Sequence, residues 1–525
     1  MPRNAAARLL PGFALAALLA AATSTGIFAQ ASEAFDLAFS GALFGAPENS
    51  FLGERIAAGG LFAPGDAHPG FAAFAQCPLA GTPRGGLLVG LGSSPHGLDS
   101  WTTILGEAGD RYGYGRAFGD FDDDGVDELA VGRYSRTVGG DAGAGDVVVL
   151  SLATGAPVVV GTWSQDTAGV LDSAEPQDSF GEELVVGDWN GDGVDDLAIG
   201  VPGETINAFA GAGAVNVLYG SAGVGLTGNL DQFWNQDIAG VVDAAEFGDA
   251  FGRALASGDL NCDGFDDLVV GAPRENDESV RAGDAAEGIL FSAGLVHVFP
   301  GSASGLTTVG SFSISEADFA GESRGSNEYF GSELATGNLV DNSAGCEELA
   351  IAAPGETVSG FDNAGKVFVW SPALADREVV TRALLGETPS ADSFGTALAV
   401  GNLDGRGFDD LVIGAPGVRD LPGQSGWGAV YQVLGDAAGL SLSAPVRLWA
   451  RSGVELVVTP GLASVDAFGS AAAVADLNQD GLDDLLVGAP TSGAQFEGAI
   501  GIFFSALFAE DFEGADFGEW SSAVP

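Results

Sequence analysis

The chain has 525 residues, with 72 Asp+Glu against 19 Lys+Arg and a formal net charge of −53. That field repels phosphate backbones and anionic lipid, which argues against nucleic-acid and membrane-surface partners. Its 83 glycines follow no G-X-Y period and 46% of its residues are hydrophobic, so neither collagen nor a disordered chain fits, and many short strands joined by glycine-rich turns are expected.

At the N-terminus, Arg3 and Arg8 precede an apolar run from Leu9 to Ala22, and Ala29-Gln30-Ala31 has the A-x-A form of a cleavage site. Residues 1–31 therefore read as a signal peptide, too short in its apolar part to span a bilayer as a helix. The expected destination is secretion or the cell surface. Phe35 to Phe44 then looks like an isolated strand, and Ser50 to Ala57 is a faint copy of a unit that repeats down the chain.

The unit opens on an aromatic-Gly pair: Tyr114-Gly115, Phe180-Gly181, Phe251-Gly252, Phe330-Gly331, Phe394-Gly395 and Phe468-Gly469, recurring every 64 to 79 residues. After each pair comes a short apolar run such as Leu184 to Val186, an acidic loop, and a second run such as Leu268 to Val270. A Gly-Ala-Pro turn closes the second run in several copies, for example Gly271 to Pro273, and a third run begins at Gly213 or Gly294. A fourth often carries a tryptophan: Trp101, Trp163, Trp234 or Trp449. Four short strands bounded by Gly and Pro are what a propeller blade requires. With the faint N-terminal copy the count is seven. The last copy, with its third run at Gly498 to Phe504, lacks a full fourth run of its own. The expectation is an all-β fold over residues 32–509, a seven-bladed β-propeller of four-stranded antiparallel blades, closed by pairing of the N-terminal strand with the last blade. Residues 510–525 form an acidic tail with Phe512, Phe517 and Trp520, read as a disordered end.

Four acidic loops follow D-x-[DN]-x-D-G-x-x-[DE]. They comprise Asp120, Asp122, Asp124, Val126 and Glu128; Asp188, Asn190, Asp192, Val194 and Asp196; Asp259, Asn261, Asp263, Phe265 and Asp267; and Asp476, Asn478, Asp480, Leu482 and Asp484. Alternate residues of a tight loop can aim oxygens inward, and calcium takes six to eight of them. Glycine at the sixth position permits the turn, the seventh residue offers its carbonyl, and the acid at the ninth can close the site. The twelfth positions, Val131, Ile199, Val270 and Val487, lie in apolar runs, which excludes an EF-hand with its bidentate Glu. Two loops are degenerate. Asn402, Asp404, Arg406, Gly407 and Asp410 place a cation where a ligand belongs, and 338–348 is longer and lacks the glycine in register. Four Ca2+ ions are therefore expected. Of Cys77, Cys262 and Cys346, one intramolecular disulfide at most can form. Cys262 and Cys346 both lie in loops of this type, and the pairing stays open.

Aromatic-Gly, acidic loop and Gly-Ala-Pro together resemble the FG-GAP repeats of the integrin-α β-propeller, found also in many secreted bacterial proteins. The resemblance covers about residues 33 to 509 and implies calcium in loops on one face with ligand recognition on another. The chain departs from integrins in lacking leg domains, a transmembrane helix and an inserted adhesion domain, which puts pairing with a β-type partner in doubt.

The expected function is a calcium-binding adhesion or binding module for an extracellular protein or glycan, monomeric and without catalysis. The alternatives are a secreted hydrolase and a passive matrix component. His68, His96 and His297 stand beside no recognisable nucleophile, and no G-x-S-x-G or H-E-x-x-H occurs. Long insertions at Arg274 to Ser292 and Glu322 to Glu328 are places where recognition commonly sits.

Overall fold

Short runs rich in Val, Leu, Ile and Ala, broken by glycine, become strands throughout this computed structural model. It describes residues 35–37, 52–60, 70–79, 82–94, 97–107, 109–153, 156–276, 290–340, 345–371, 378–419, 428–437, 439–449, 467–477, 480–490 and 499–503. These belong to one compact unit, Ala34–Pro525. The expected signal peptide and the tail after 509 lie outside the described residues.

The strands are β1 (Phe35–Leu37), β2 (Leu52–Gly60), β3 (Gly70–Leu79), β4 (Thr82–Ser94) and β5 (Gly97–Leu105). Next come β6 (Arg116–Gly119), β7 (Glu128–Gly132), β8 (Val147–Ser151) and β9 (Val158–Trp163), then β10 (Leu184–Gly187), β11 (Asp196–Val201), β12 (Ala214–Tyr219) and β13 (Thr227–Trp234). They continue with β14 (Ala254–Gly258), β15 (Asp267–Ala272), β16 (Leu295–Phe299) and β17 (Phe312–Ile314), then β18 (Leu334–Gly337), β19 (Glu348–Ala353), β20 (Lys366–Trp370) and β21 (Glu378–Val380). The remainder are β22 (Ala397–Gly401), β23 (Asp410–Ala415), β24 (Ala429–Leu434), β25 (Ser441–Trp449), β26 (Ala471–Ala475), β27 (Asp484–Ala489) and β28 (Ala499–Phe503). Every pairing is antiparallel within four-stranded sheets.

The count of seven repeat blades needs correction. Six blades, running from β2 to β25, are each made of four consecutive strands. The last repeat does not form such a blade, because it supplies only β26, β27 and β28; its sheet is a composite in the order β1-β28-β27-β26. Phe35 pairs with Ile502 and Leu37 with Ile500, which covers the free edge of β28. The N-terminal pairing is thus observed over Phe35–Leu37, and residues 38–44 lie outside the described residues. The first strands of successive sheets adjoin in order from β2 through β22 to β26, and β26 adjoins β2.

The hydrophobic core lies between sheets. The second strands are buried along their whole length, as in Asp196–Val201 and Asp267–Ala272, because both faces of each sheet meet a neighbour. One cluster joins Ala130 and Val149 of one blade to Leu197 and Ile199 of the next, and another joins Val215 and Val217 to Leu268 and Val270. Phe180, Phe251, Phe330 and Phe394, the aromatics of the repeat, are fully buried.

The glycines of the repeat have a steric reason. Gly181 adopts φ +85° and donates its N–H to Gly200 at 3.0 Å. Its carbonyl faces Gly132 of the preceding blade, where a Cβ would stand 1.9 Å away. The aromatic-Gly pair of one blade therefore packs on the Gly that precedes the turn of its neighbour, and only glycine allows that approach.

Candidate metal-binding loops

Each acidic loop joins the first strand of a blade to its second. In the loop between β10 and β11, Asp188 accepts the N–H groups of Asp192 at 3.1 Å and Gly193 at 2.9 Å, and Asp192 accepts that of Val194 at 3.0 Å. Asn190 Oδ1 accepts from Asp192 N–H at 2.8 Å. Asp196, at the start of β11, accepts from Trp189 N–H and from Gly220 N–H. These bonds wrap five backbone groups around carboxylates and hold the side chains in a tight turn. The pattern recurs around Asp120 with Asp124, Gly125 and Val126, around Asp259 with Asp263, Gly264 and Phe265, and around Asp476 with Asp480, Gly481 and Leu482. Asn478 lies outside the described residues.

The first loop gathers the most charge. Carboxylate oxygens of Asp120, Asp122 and Glu128 lie within 4.8 Å of one another. Asp122 Oδ1 is buried without a hydrogen-bond partner. Burial, with Asp122 next in effect, pushes Glu128 up to about 8; burial likewise raises Asp196 to about 8 and Asp267 to about 7. A cluster of acids that holds protons so tightly, with an orphaned oxygen inside it, fits a hard divalent cation whose charge offsets the repulsion. In the other loops Asn190 and Asn261 replace the second carboxylate with a neutral oxygen donor. The Asn261 amide donates to Asp267 at 3.0 Å, drawing the ninth-position acid into the turn.

The degenerate loops are held by other means. Arg406 Nε lies 3.1 Å from Asp404 Oδ2, an internal ion pair in a loop that also keeps Asp410 buried. In 338–348, Glu348 accepts the N–H groups of Leu339 and Val340 and the Ser371 hydroxyl. Cys346 of this loop is disulfide-bonded to Cys262 of the third loop, with Cα atoms 4.7 Å apart.

Sequence reasoning overlooked the eighth position. Asp195 Oδ2 accepts the N–H of Asp120 in the preceding blade at 2.8 Å, and Asp266 accepts that of Asp188 at 3.0 Å. Asp409 does the same for Asn338, and Asp483 for Asn402. The signal was present as a recurring acid just before the ninth position, which the loop motif left without a role.

The inner strands frame a charged cavity of about 660 Å³. Arg55 pairs with Glu183 at 3.0 Å and sits over the Tyr114 ring, while Arg116 and Glu333 line the same space. His297, in β16, is buried against Phe251 and Phe299; His68 and His96 lie outside the described residues. Among the described residues, no helix is long and apolar enough to cross a membrane.

Sheets of four strands set side by side, with acidic turns between their first and second strands, define a repeat-built β-propeller. FG-GAP repeats match it at residues 180–218, 251–291, 394–431 and 468–503. The chain thus carries FG-GAP repeats in four places, and integrin alpha chains are among its homologues. It is 31% identical to integrin alpha-V of Gallus gallus over 255 residues, 47% of this chain and 21% of that protein. It is 34% identical to integrin alpha-PS2 of Drosophila melanogaster over 201 residues, 37% of this chain and 14% of that protein. Phosphatidylinositol-glycan-specific phospholipase D of Rattus norvegicus is 26% identical over 395 residues, 72% of this chain and 43% of that protein. The chain thus spans less than half the length of each of these relatives. The solved Dos1 propeller superposes with a TM-score of 0.38 at 10% identity, over 82% of this chain and 74% of that one, too loosely to inform fold or function.

Proposed function

We propose that this chain is an extracellular binding module whose acidic loops hold calcium, chiefly to fix neighbouring blades. The observation that supports this most is the convergence of Asp120, Asp122 and Glu128 around the unpartnered Asp122 oxygen. The corresponding sets around Asp188, Asp259 and Asp476 would hold further ions through their carboxylates, the Asn oxygens and the carbonyls of Val194, Phe265 and Leu482. Extracellular calcium modules bind at about 0.1–1 mM, so about 1 mM calcium contributes roughly 0.4–1.4 kcal/mol per site. Homology to integrin alpha chains supports a protein or glycan ligand outside the cell, carried by loops on this scaffold. The insertion at 274–292 is one candidate; residues 277–289 of it lie outside the described residues.

The test is thermal unfolding of the purified chain in calcium and in EGTA, alongside capture of matrix proteins and glycans under both conditions. A lower midpoint in EGTA with calcium-dependent capture supports the reading. An unchanged midpoint overturns the calcium role.

A second reading, a hydrolase, draws support from the long alignment to phosphatidylinositol-glycan-specific phospholipase D. The charged cavity holding Arg55, Arg116, Glu183 and Glu333 is where substrate would meet protein side chains. Release of product from a phosphatidylinositol-glycan substrate by the purified chain would establish this reading; absence of turnover leaves the binding module.

A further inference from the structure

The acidic loops occupy one end of the blades. Because the strands are antiparallel, the segment after each second strand and the crossover from a fourth strand to the next blade meet at the opposite end. A second tier of charge sits there, and the loops do not account for it. Glu175, Asp178 and Glu204 place carboxylate oxygens within 4.8 Å of one another, and so do Glu246, Asp249 and Glu275 one blade further on.

Three positions build this tier in the blades from β10 to β25. The first lies two residues past the fourth strand: Gln165 after β9, Gln236 after β13, Glu316 after β17 and Arg382 after β21. The second lies two residues before the aromatic-Gly pair: Asp178, Asp249, Glu328 and Asp392. The third lies four residues past the glycine that precedes the turn: Glu204, Glu275 and Val418, with Arg136 in the corresponding place after Gly132 and Glu356 after Ala352, which stands where the glycine would be.

In other blades a protein cation fills the centre. Arg382 pairs with Asp392 and Glu387 where the third position has become Val418. Arg136 stands in the third position and pairs with Asp110 at 2.9 Å. Lys366 stands only at the edge of a third cluster, Glu316, Glu328 and Glu356, lying 2.8 Å from Glu356 and pairing also with Glu322. The Asp178 and Glu204 cluster is surrounded instead by Glu175, Asp172 and Asp141, all acidic.

A separate observation points to a ligand. Gln165 is 2% exposed and donates its amide to Glu204 at 2.5 Å, yet its carbonyl Oε1 is buried with no partner beside the carboxylates. Gln236, 1% exposed, repeats this on Glu275 at 2.6 Å, with Oε1 again orphaned; so is Oδ1 of the fully buried Asp249. A buried amide oxygen without a donor is costly unless something electropositive meets it.

We propose that Glu175, Asp178, Glu204 and the Gln165 carbonyl form a binding site for a hard divalent cation of the calcium class, repeated at Glu246, Asp249, Glu275 and Gln236. The ion takes the place that the Arg382 guanidinium fills three blades after the first site and two after the second. It ties the end of one blade and its crossover to the second strand of the next, so each ion fastens a seam between blades. Three carboxylates and an amide oxygen leave room for water to complete a shell of six to eight oxygens. Burial, with Asp178 next in effect, pushes Glu204 up to about 8, and burial with Asp249 next pushes Glu275 to about 9, as expected for clusters awaiting a counter-charge.

This proposal does not rest on the loops, and its test separates the two. Calcium bound per full-length chain is measured by equilibrium dialysis for the wild type, for Glu204→Gln with Glu275→Gln, and for the loop variant Asp188→Asn with Asp259→Asn. Two ions fewer in the glutamate variant, with the loop ions retained, is the expected result. An unchanged count in that variant overturns the proposal, whatever the loop variant does; loss in the loop variant alone upholds the loops and rejects the second tier. A measurement without substitutions guards against misfolding: terbium introduced into wild-type crystals should give anomalous density about 2.3–2.6 Å from the Asp178 and Glu204 carboxylates. Density at the loops and none here overturns the proposal.

Discussion

The carboxylate of Asp195 accepts the main-chain N–H of Asp120 across a blade boundary, at 2.8 Å. The acid that precedes the last ligand of one loop thus fixes the first residue of the loop before it. Replacing Asp195 with Ala removes a charge-assisted bond from a half-buried place and should cost about 1–2 kcal/mol in denaturant unfolding. Asp195→Asn keeps an acceptor oxygen and should cost less. Calcium titration should show weaker binding in the Ala variant, because the preceding loop loses its anchor.

Gly193 stands at φ +85° with open space where a Cβ would go. The obstacle to a side chain there is backbone conformation alone. Gly193→Ala should destabilise the protein by about 1–2 kcal/mol, measured by denaturant unfolding, with a larger gap in calcium than in EGTA if the loop carries an ion.

His297 is 1% exposed and its Nε2 has no partner. Burial lowers its pKa from 6.5 to about 4. The unfolded chain therefore binds a proton between about pH 6.5 and pH 4 that the folded chain refuses. The stability that depends on a neutral imidazole is present above pH 6.5 and is lost as pH falls towards 4, by about 3 kcal/mol in all. Urea unfolding of wild type and His297→Leu across this range should give curves whose difference changes by about that amount.

The Cys262–Cys346 bond closes a span of 84 residues between two neighbouring blades. Replacing both cysteines with serine should lower stability by about 2–4 kcal/mol. Unfolding of the wild type with and without reductant should reproduce the difference.

Much of this was legible in the chain. The aromatic-Gly pairs and the apolar runs after them placed β10, β15 and β27 where they occur, since strand length and turn residues are local properties. The four loops were readable because five positions recur at fixed spacing. The partner of β1, more than 430 residues further on, was legible too, because the last copy lacks a fourth run and Phe35 to Phe44 stands alone; what needed correction was the count, since that last copy was taken as a blade like the six continuous ones. The eighth-position acids were missed because their role is not local. Asp195 and Asp266 look like extra ligands of their own loops, and only the neighbouring blade shows which N–H groups they serve. Gln165 and Gln236 carry no motif; their meaning depends on burial and on what Arg382 does at the same place.

The composite sheet also sets an order of events during biosynthesis. β1 is made before β28 and has no edge to pair with until β28 follows, so the nascent chain carries an unpaired strand while the strands between them are synthesised. Whatever keeps that strand from pairing elsewhere in the meantime matters as much to a correctly assembled product as the contacts of the finished ring.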